Sequence, residues 1–417
     1  MPQRTDHSSL VRGLTSSTFA ALRHRNYRLW FFGQTISLMG TWMQTVAQGW
    51  LVYALTGSKL ALGTISFFGN LPTLFLMLPA GALADRFSRR TLLLATQTVM
   101  TIQAFVLAAL AATGALRVWH IALLATVLGV ANSFDAPARQ AMTVDMVDDR
   151  RDLMNAIALN SSIFNMARIV GPAVGGVILA SLGAAWCFAL NGVTFFAVIV
   201  ALWLMRLPRM EQVRHSEPLL AQIKAGLGYI RSHIEVMAMI AWIGVASLFG
   251  LAYSVLMPAY AADVLHVGET GLGMLNAAAG LGALAGSLLV ASLGSFRYKG
   301  WLLTVGSLLF PASILLFATS RSFAFALGCL VVIGLAFVIT SATINTLIQS
   351  LVPDALRGRV MAVFTLSFFG TAPFSSLLAG VIAQAFGTVV SVAIGAGITL
   401  VFALFIFFAV PSLRRLT

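Results

Sequence analysis

Charge is scarce in this chain of 417 residues: 9% are Asp, Glu, Lys or Arg. A soluble protein needs a polar surface. With 59% hydrophobic residues and a mean hydropathy of +0.92, this composition cannot cover one. Acid is scarcer than base, with 13 Asp and Glu against 26 Lys and Arg. The two cysteines, Cys187 and Cys329, both fall inside apolar runs, so neither a disulfide framework nor a cysteine metal site is implied. The histidines (His7, His24, His120, His215, His233, His266) lie in tails or loops. No constellation of titratable groups converges at one depth, which argues against an enzyme and leaves a membrane enzyme or scaffold as a remote alternative. No Gly-x-x-x-x-Gly-Lys loop is present, so ATP is not the direct energy source. No cofactor is implied. A cleavable signal is also missing: the first apolar run extends from near Leu29 past Leu51, too long for a signal core, and is itself a span.

What the chain has instead is apolar length. Runs long enough to cross a bilayer fall at 29–53, 61–84, 91–113, 118–142, 155–181, 184–206, 236–260, 269–293, 299–319, 323–349, 358–384 and 388–410, twelve candidate spans. Helices are expected throughout, because a spanning helix satisfies its own backbone. The basic residues test the count. With the N-terminus inside, inner segments hold Arg4, Arg12, Arg23, Arg25, Arg28, Arg86, Arg89, Arg90, Arg139, Arg150, Arg151, Arg357, Arg359 and others, whereas outer loops hold only Lys59, Arg117 and Arg321. This bias fits twelve spans with both termini cytoplasmic. It also accounts for the net charge of +13 without nucleic acid as a partner; the bilayer is the partner expected.

The longest internal polar stretch, 207–235, divides the chain into six spans plus six. The expected organisation is a tail (1–28), an N-terminal half (29–206), a linker (207–235), a C-terminal half (236–410) and a short tail (411–417). The linker contains "LLAQIKAGLGYIRSH", a basic amphipathic piece expected along the inner membrane face. The halves are faintly alike. "NMARIVGPAVGGVILASLG" (165–183) aligns with "GTAPFSSLLAGVIAQAFG" (370–387), setting Gly176 against Gly380 and Gly183 against Gly387. A parallel repeat of two six-helix halves would look like this.

Between spans two and three lies "GALADRFSRR", with one acid and three arginines in Asp85–Arg90. It resembles the Gly-x-x-x-Asp-Arg-x-x-Arg-Arg loop of the major facilitator superfamily through Gly81, Asp85, Arg86, Arg89 and Arg90. In span five "GPAVGG" (Gly171, Pro172, Gly175, Gly176) resembles the antiporter motif of the drug-efflux branches. "FDAPARQAM" (134–142), "NAIALNSSIF" (155–164) and "MPAYAADVL" (257–265) resemble the branch of transmembrane secretion effectors that contains the enterobactin exporter and macrolide efflux proteins. The likeness covers nearly the whole chain. It implies an all-α, multi-pass protein of a bacterial cytoplasmic membrane with the major facilitator fold. The arginine-rich loop would be a conformational latch: Asp85 near the start of span eleven at Arg357–Val360, and Arg89 or Arg90 paired with Asp145 or Asp135 at the end of span four. Topology alone explains the arginines but not Asp85 or the glycine. The glycines of span five would pack against span eight, as a seal or as ordinary small-residue packing.

Polar groups inside spans are functional candidates by default. Arg168 lies near mid-bilayer in span five. Asp135 lies in span four, with Arg139 one turn beyond on the same face. An ion pair is the structural alternative for all three; a substrate or proton pathway is the functional one. Span one carries Gln34, Ser37, Thr41, Gln44 and Gln48 on one helical face, expected as cavity wall or as interhelical bonding. Asn165, Tyr253 and Asn345 complete the candidate pathway, and Trp242 and Phe249 add aromatic surface on span seven. The drug/proton antiporters carry an arginine four residues before a span-four glycine; if Gly129 is that glycine, this chain has Ala125. The expected function is a secondary efflux transporter, a monomer that exports a small amphipathic solute (a siderophore, a macrolide or another drug) with protons as the coupling ion. An importer of the same fold is the alternative.

Overall fold

The computed structural model describes residues 19–147, 149–206, 219–293 and 298–416; at 78, 82, 84–86, 150 and 219–225 it describes the backbone only. The described residues are helical, with no strand among them. In chain order the long helices are α1 (Arg25–Thr56), α2 (Lys59–Arg86), α3 (Arg89–Ala112), α4 (Val118–Asp145), α5 (Leu153–Leu182) and α6 (Ala184–Leu204), then α7 (Ile234–Val255, continued by Met257–Asp263), α8 (Glu269–Ser292), α9 (Lys299–Thr319), α10 (Phe323–Leu351), α11 (Asp354–Phe386) and α12 (Thr388–Ala409). Eleven helices among the described residues are long and apolar enough to cross a membrane. The helix outside that set is α1: its 32 residues give ample length, but its polar stripe lowers its hydropathy.

Two helices expected to be continuous are broken. In α7 the turns widen over Ala246–Gly250, and the chain restarts at Met257, beside Pro258, which has no backbone donor for the preceding turn. In α11 the break falls at Gly370–Thr371, and Pro373 sits in the first turn of Ala372–Phe386, where its missing N–H costs nothing.

Helices α1–α6 are joined by the contacts of α2 with α4, α1 with α5 and α3 with α6, helices α7–α12 by those of α8 and α9 with α10, and these two groups meet extensively along α5–α8 and α2–α11. The core of the second group includes Tyr260 stacked 4.3 Å from Phe317, and Trp242, which lines a small cavity with Thr304 and Ser307 and is set against Phe310. The faint repeat is visible at two joints. Gly183 links α5 to α6 at φ 87°, and Gly387 links α11 to α12 at φ 92°. A Cβ at either would meet nothing within 4 Å, so backbone conformation, not space, calls for glycine.

The helices alternate in direction, so both ends of the described chain lie on one face, here the terminal face. Toward the opposite, far face the groups touch closely. A Cβ on Gly176 of α5 would lie 3.0 Å from the Cα of Gly273 on α8; one on Gly63 of α2 would lie 2.9 Å from the Cα of Gly380 on α11. Two glycine-to-glycine crossings thus join α5 to α8 and α2 to α11. Toward the terminal face the second pair opens around a gap of about 310 Å³ lined by Thr73, Leu74, Met77 and Gly81 of α2 and by Met361, Thr365 and Phe369 of α11. The linker helix, Leu219–Ser232, packs against α11. Gly226 abuts the Arg359 carbonyl, Ile230 is buried, and the Tyr229 hydroxyl donates to the Leu351 carbonyl.

Candidate functional site

A cavity of about 560 Å³ opens on the terminal side of the first group, between α1, α4 and α5. Trp30, Gln34 and Leu38 come from α1, Arg139, Gln140 and Thr143 from α4, and Ile157, Asn160, Ser161, Phe164 and Asn165 from α5. The α5 residues recur every three to four positions, one helical face running inward. The buried Gln34 Oε1 has no hydrogen-bond partner, and Asn160 donates to Thr143. Sequence reasoning singled out Gln34, Arg139 and Asn165 here. It missed Trp30, Gln140, Asn160 and Phe164, whose only signal was their place on the same helical faces.

One turn beyond Phe164 stands Arg168. Its guanidinium carbon lies 5.9 Å from the centroid of the Trp42 ring, which meets Phe164 edge-on at 6.1 Å. Tyr253, on α7 of the other group, is buried. Asp135, by contrast, is enclosed by neighbours: Thr96 and Gln97 of α3 donate to its Oδ1 at 3.0 and 2.8 Å, and Arg139 Nε lies 3.7 Å from Oδ2. Asp135 and Arg168 form no pair.

The stripe on α1 divides. Gln34 faces the large cavity, while Thr41, Gln44 and Gln48 line a second one of about 140 Å³ with Ser66, Leu128 and Asn191. Within it Gln44 Nε2 donates to Gln103 and Asn191 Nδ2 donates to Gln44 Oε1, a chain of amides linking α1, α3 and α6. These residues therefore join helices within the first group. Asn345, half-buried on α10, accepts a hydrogen bond from Gln349.

The glycines of α5 also divide between two partners, where one was expected. Gly171 and Gly175 abut Met39, Trp42 and Met43 of α1, while Gly176 and the Pro172 carbonyl abut Gly273 of α8. Helical geometry requires this: positions four apart share a face, and 171/175 and 172/176 form adjacent rows about 100° apart. Ala125 has a local reason too. It packs on Gly69 where α2 crosses α4 at Gly129, a crossing so close that an arginine at 125 has no room.

On the terminal face Arg89 binds both carboxylate oxygens of Asp145, at 2.9 and 3.0 Å, and the Ala141 carbonyl. Arg90 donates instead to the Trp203 carbonyl. Gly81 lines the α2/α11 gap. The side chains of Asp85 and Arg86 lie outside the described atoms. The far face carries a cluster that sequence reasoning missed. Asp263, at the end of α7, accepts from the Tyr53 hydroxyl at 2.6 Å and lies 3.1 Å from the Lys59 ammonium. Gln384 Oε1 of α11 accepts from the Lys59 and Leu60 amides and the Ser58 hydroxyl. Both contacts join the two groups.

The model of the family described as Transmembrane secretion effector matches residues 16–416. Among curated relatives, the staphyloferrin A transporter of Staphylococcus aureus is 25% identical over 86% of this chain and 90% of its own length. The multidrug efflux pump Tap of Mycolicibacterium fortuitum is 26% identical over 84% and 87%. The enterobactin exporter EntS of Citrobacter koseri is 29% identical over 86% and 85%. Among solved structures, the POT family transporter PepTSo superposes with a TM-score of 0.75 at 14% identity, covering 94% of this chain and 98% of that one. A bacterial Spinster homologue in an inward-facing, unoccupied conformation gives 0.71 at 15% identity, over 94% and 96%. These two show the fold alone. With a cavity between α1, α4 and α5 and a family match over nearly its full length, the chain belongs to the transmembrane secretion effectors, a branch of the major facilitator transporters, and is a membrane transporter rather than an enzyme.

Proposed function

We propose that this transporter is a secondary active exporter that carries a small amphipathic solute out across a bacterial cytoplasmic membrane by alternating access. In this reading α1–α12 all span the bilayer as two six-helix halves, both termini are cytoplasmic, the terminal face is the inner face, and the chain works as a monomer. One observation carries the proposal. The halves are tightly packed at the far face, through two glycine crossings and the Asp263 and Gln384 contacts, while the cavity and the α2/α11 gap lie toward the terminal face. That is the arrangement of a carrier waiting to load from inside. The arginines on the terminal face support the orientation.

The Asp85 loop and the Arg89–Asp145 pair act as the latch that steadies the inner face when it closes. Asp135 is the candidate proton carrier, a buried carboxylate held by Thr96 and Gln97 beside a half-exposed Arg139. The aromatic and amide lining of the cavity suits a siderophore-like or drug-like solute, the classes named in its relatives. The test is comparative profiling of the medium from a deletion strain and its parent. Loss of one secreted compound is expected, restored by the plasmid-borne gene. An unchanged medium with lost uptake of a nutrient would make the chain an importer.

A further inference from the structure

Several polar side chains around the cavity between α1, α4 and α5 are already satisfied by protein. Asn160 donates to Thr143 and accepts from the Tyr27 hydroxyl, Asn165 donates to the Ser161 carbonyl, and the Ser161 hydroxyl to that of Ile157. Gln34 and Arg139 are not. Gln34 is 4% exposed, yet its amide bonds to no described residue, and its Oε1 is out of reach of water. A buried amide left so is costly unless a ligand meets it. Arg139 approaches Asp135 through Nε at 3.7 Å, too far for a hydrogen bond, and its guanidinium has no other described partner. Charge on the wall is one-sided. Asp135 is 5% exposed and enclosed by Thr96 and Gln97 of α3, whereas Arg139, at 28%, lines the cavity. Among the described residues no Asp or Glu lines it, so the one formal charge there is positive.

We propose that this cavity takes an anionic amphipath, a solute whose carboxylate or other acidic oxygen binds Arg139, whose hydroxyl or amide pairs with Gln34, and whose apolar body lies along Phe164, Leu38 and Ile157. The guanidinium supplies charge and a planar fork whose donors have no protein acceptor. Gln34 both donates and accepts, so one hydroxyl or amide satisfies it. Phe164 is 44% exposed and meets Trp42 edge-on at 6.1 Å, which gives the body an aromatic surface. The volume of about 560 Å³ falls within the range of about 300–1,000 Å³ found for drug-sized ligands. A cation of the same shape finds a guanidinium on the wall and no carboxylate, and is disfavoured. That this ligand is the transported solute rests on the exporter reading; that the cavity binds an anion does not.

The test uses the full chain in phosphatidylcholine nanodiscs and three probes that share one body, titrated calorimetrically: 2-naphthoylglycine, an anion; its neutral carboxamide; and the cation N-(2-aminoethyl)-2-naphthamide. The anion is expected to bind about tenfold more tightly than the carboxamide, and the cation more weakly than either. Arg139→Gln should bring the anion down to the level of the carboxamide and leave the carboxamide unchanged, which also shows that the variant is folded. Arg139→Lys should keep part of the preference, since lysine supplies charge without the fork. Gln34→Leu should weaken all three probes several-fold and preserve their order. Equal binding of the three probes to the unmodified chain, or no saturable binding, overturns the proposal, as does a preference that survives Arg139→Gln. Uniform loss of all three probes in Arg139→Gln would make that residue a structural partner of Asp135 and overturn it too. A second series in nanodiscs containing phosphatidylglycerol should give the same order; loss of the preference there would assign Arg139 to a lipid phosphate instead. The deletion-strain profile keeps the two readings apart. Anion preference with an unchanged medium sinks the exporter reading alone, and equal binding of the probes with a lost secreted compound sinks the anion site alone.

Discussion

Asp135 and Arg139 were legible as a pair because a spacing of four on a helix places them on one face. What the sequence did not disclose is that the tighter partners of Asp135 are neutral. Thr96 and Gln97 hold one oxygen at hydrogen-bond distance, while Arg139 approaches the other only to 3.7 Å and is 28% exposed. Those partners lie 38 and 39 residues away on α3, and no periodicity links them to α4. The consequence is a specific prediction. Asn at 135 still accepts from Thr96 and Gln97, and Arg139 stays partly hydrated, so Asp135→Asn should fold with a loss of about 1 kcal/mol or less. It should, however, uncouple the carrier. Uptake driven by a pH gradient in inside-out vesicles should fall at least tenfold, while solute exchange without a gradient persists. Equal loss of both activities would make Asp135 structural.

Among elements, the glycine crossings and the far-face polar contacts hold the same seam, and their magnitudes differ. An ion pair as exposed as Lys59–Asp263, at 22% and 39%, is worth about 0–1 kcal/mol. Asp263→Asn should therefore shift the balance toward the outward-open form about fivefold at most. Gly176→Val adds branched carbon where even a Cβ would lie 2.8 Å from the Glu269 carbonyl and 3.0 Å from the Gly273 Cα. Backbone cannot yield as a side chain can, so α5 and α8 must part. The closed far face should be largely lost. Distances between spin labels at the far-face ends of α5 and α8 will separate the cases: a minor second population for Asp263→Asn, a replaced main one for Gly176→Val. The glycine motif on α5 was visible by resemblance, but its division between α1 and α8 needed helical geometry. The far-face cluster was not legible at all. Tyr53 and Asp263 are separated by 210 residues, and Ser58 and Gln384 by 326, and each looks like an ordinary loop-end residue.

For the whole molecule, the alternation of apolar runs and the placement of arginines were enough to outline the helical architecture, since both follow from the bilayer as solvent. The breaks in α7 and α11 escaped, because an apolar run does not show where its hydrogen-bond ladder stops. Orientation is open to direct measurement. Both native cysteines are buried, so a single introduced thiol reports alone. Ser161→Cys, on the cavity face of α5, should react with a membrane-impermeant maleimide in inside-out vesicles but not in intact cells. Ala115→Cys, in the exposed α3–α4 loop at the far face, should do the reverse. The opposite pattern would invert the topology.

Gln384 gives the seam a history as well as a shape. The Ser58 side chain caps the Ala61 amide locally, but the Lys59 and Leu60 amides find their acceptor on α11, 325 and 324 residues later. The first amides of a helix have no partner within it and must find one elsewhere. At about 5–20 residues per second of synthesis, α2 waits roughly 15–65 s for that acceptor to emerge from the ribosome. During that interval the nascent first half is held by the translocon, headgroups or water. The last helices to be made complete one of the first, so a chain cut short after α10 would be exposed to quality control at α2 as well as at its broken end.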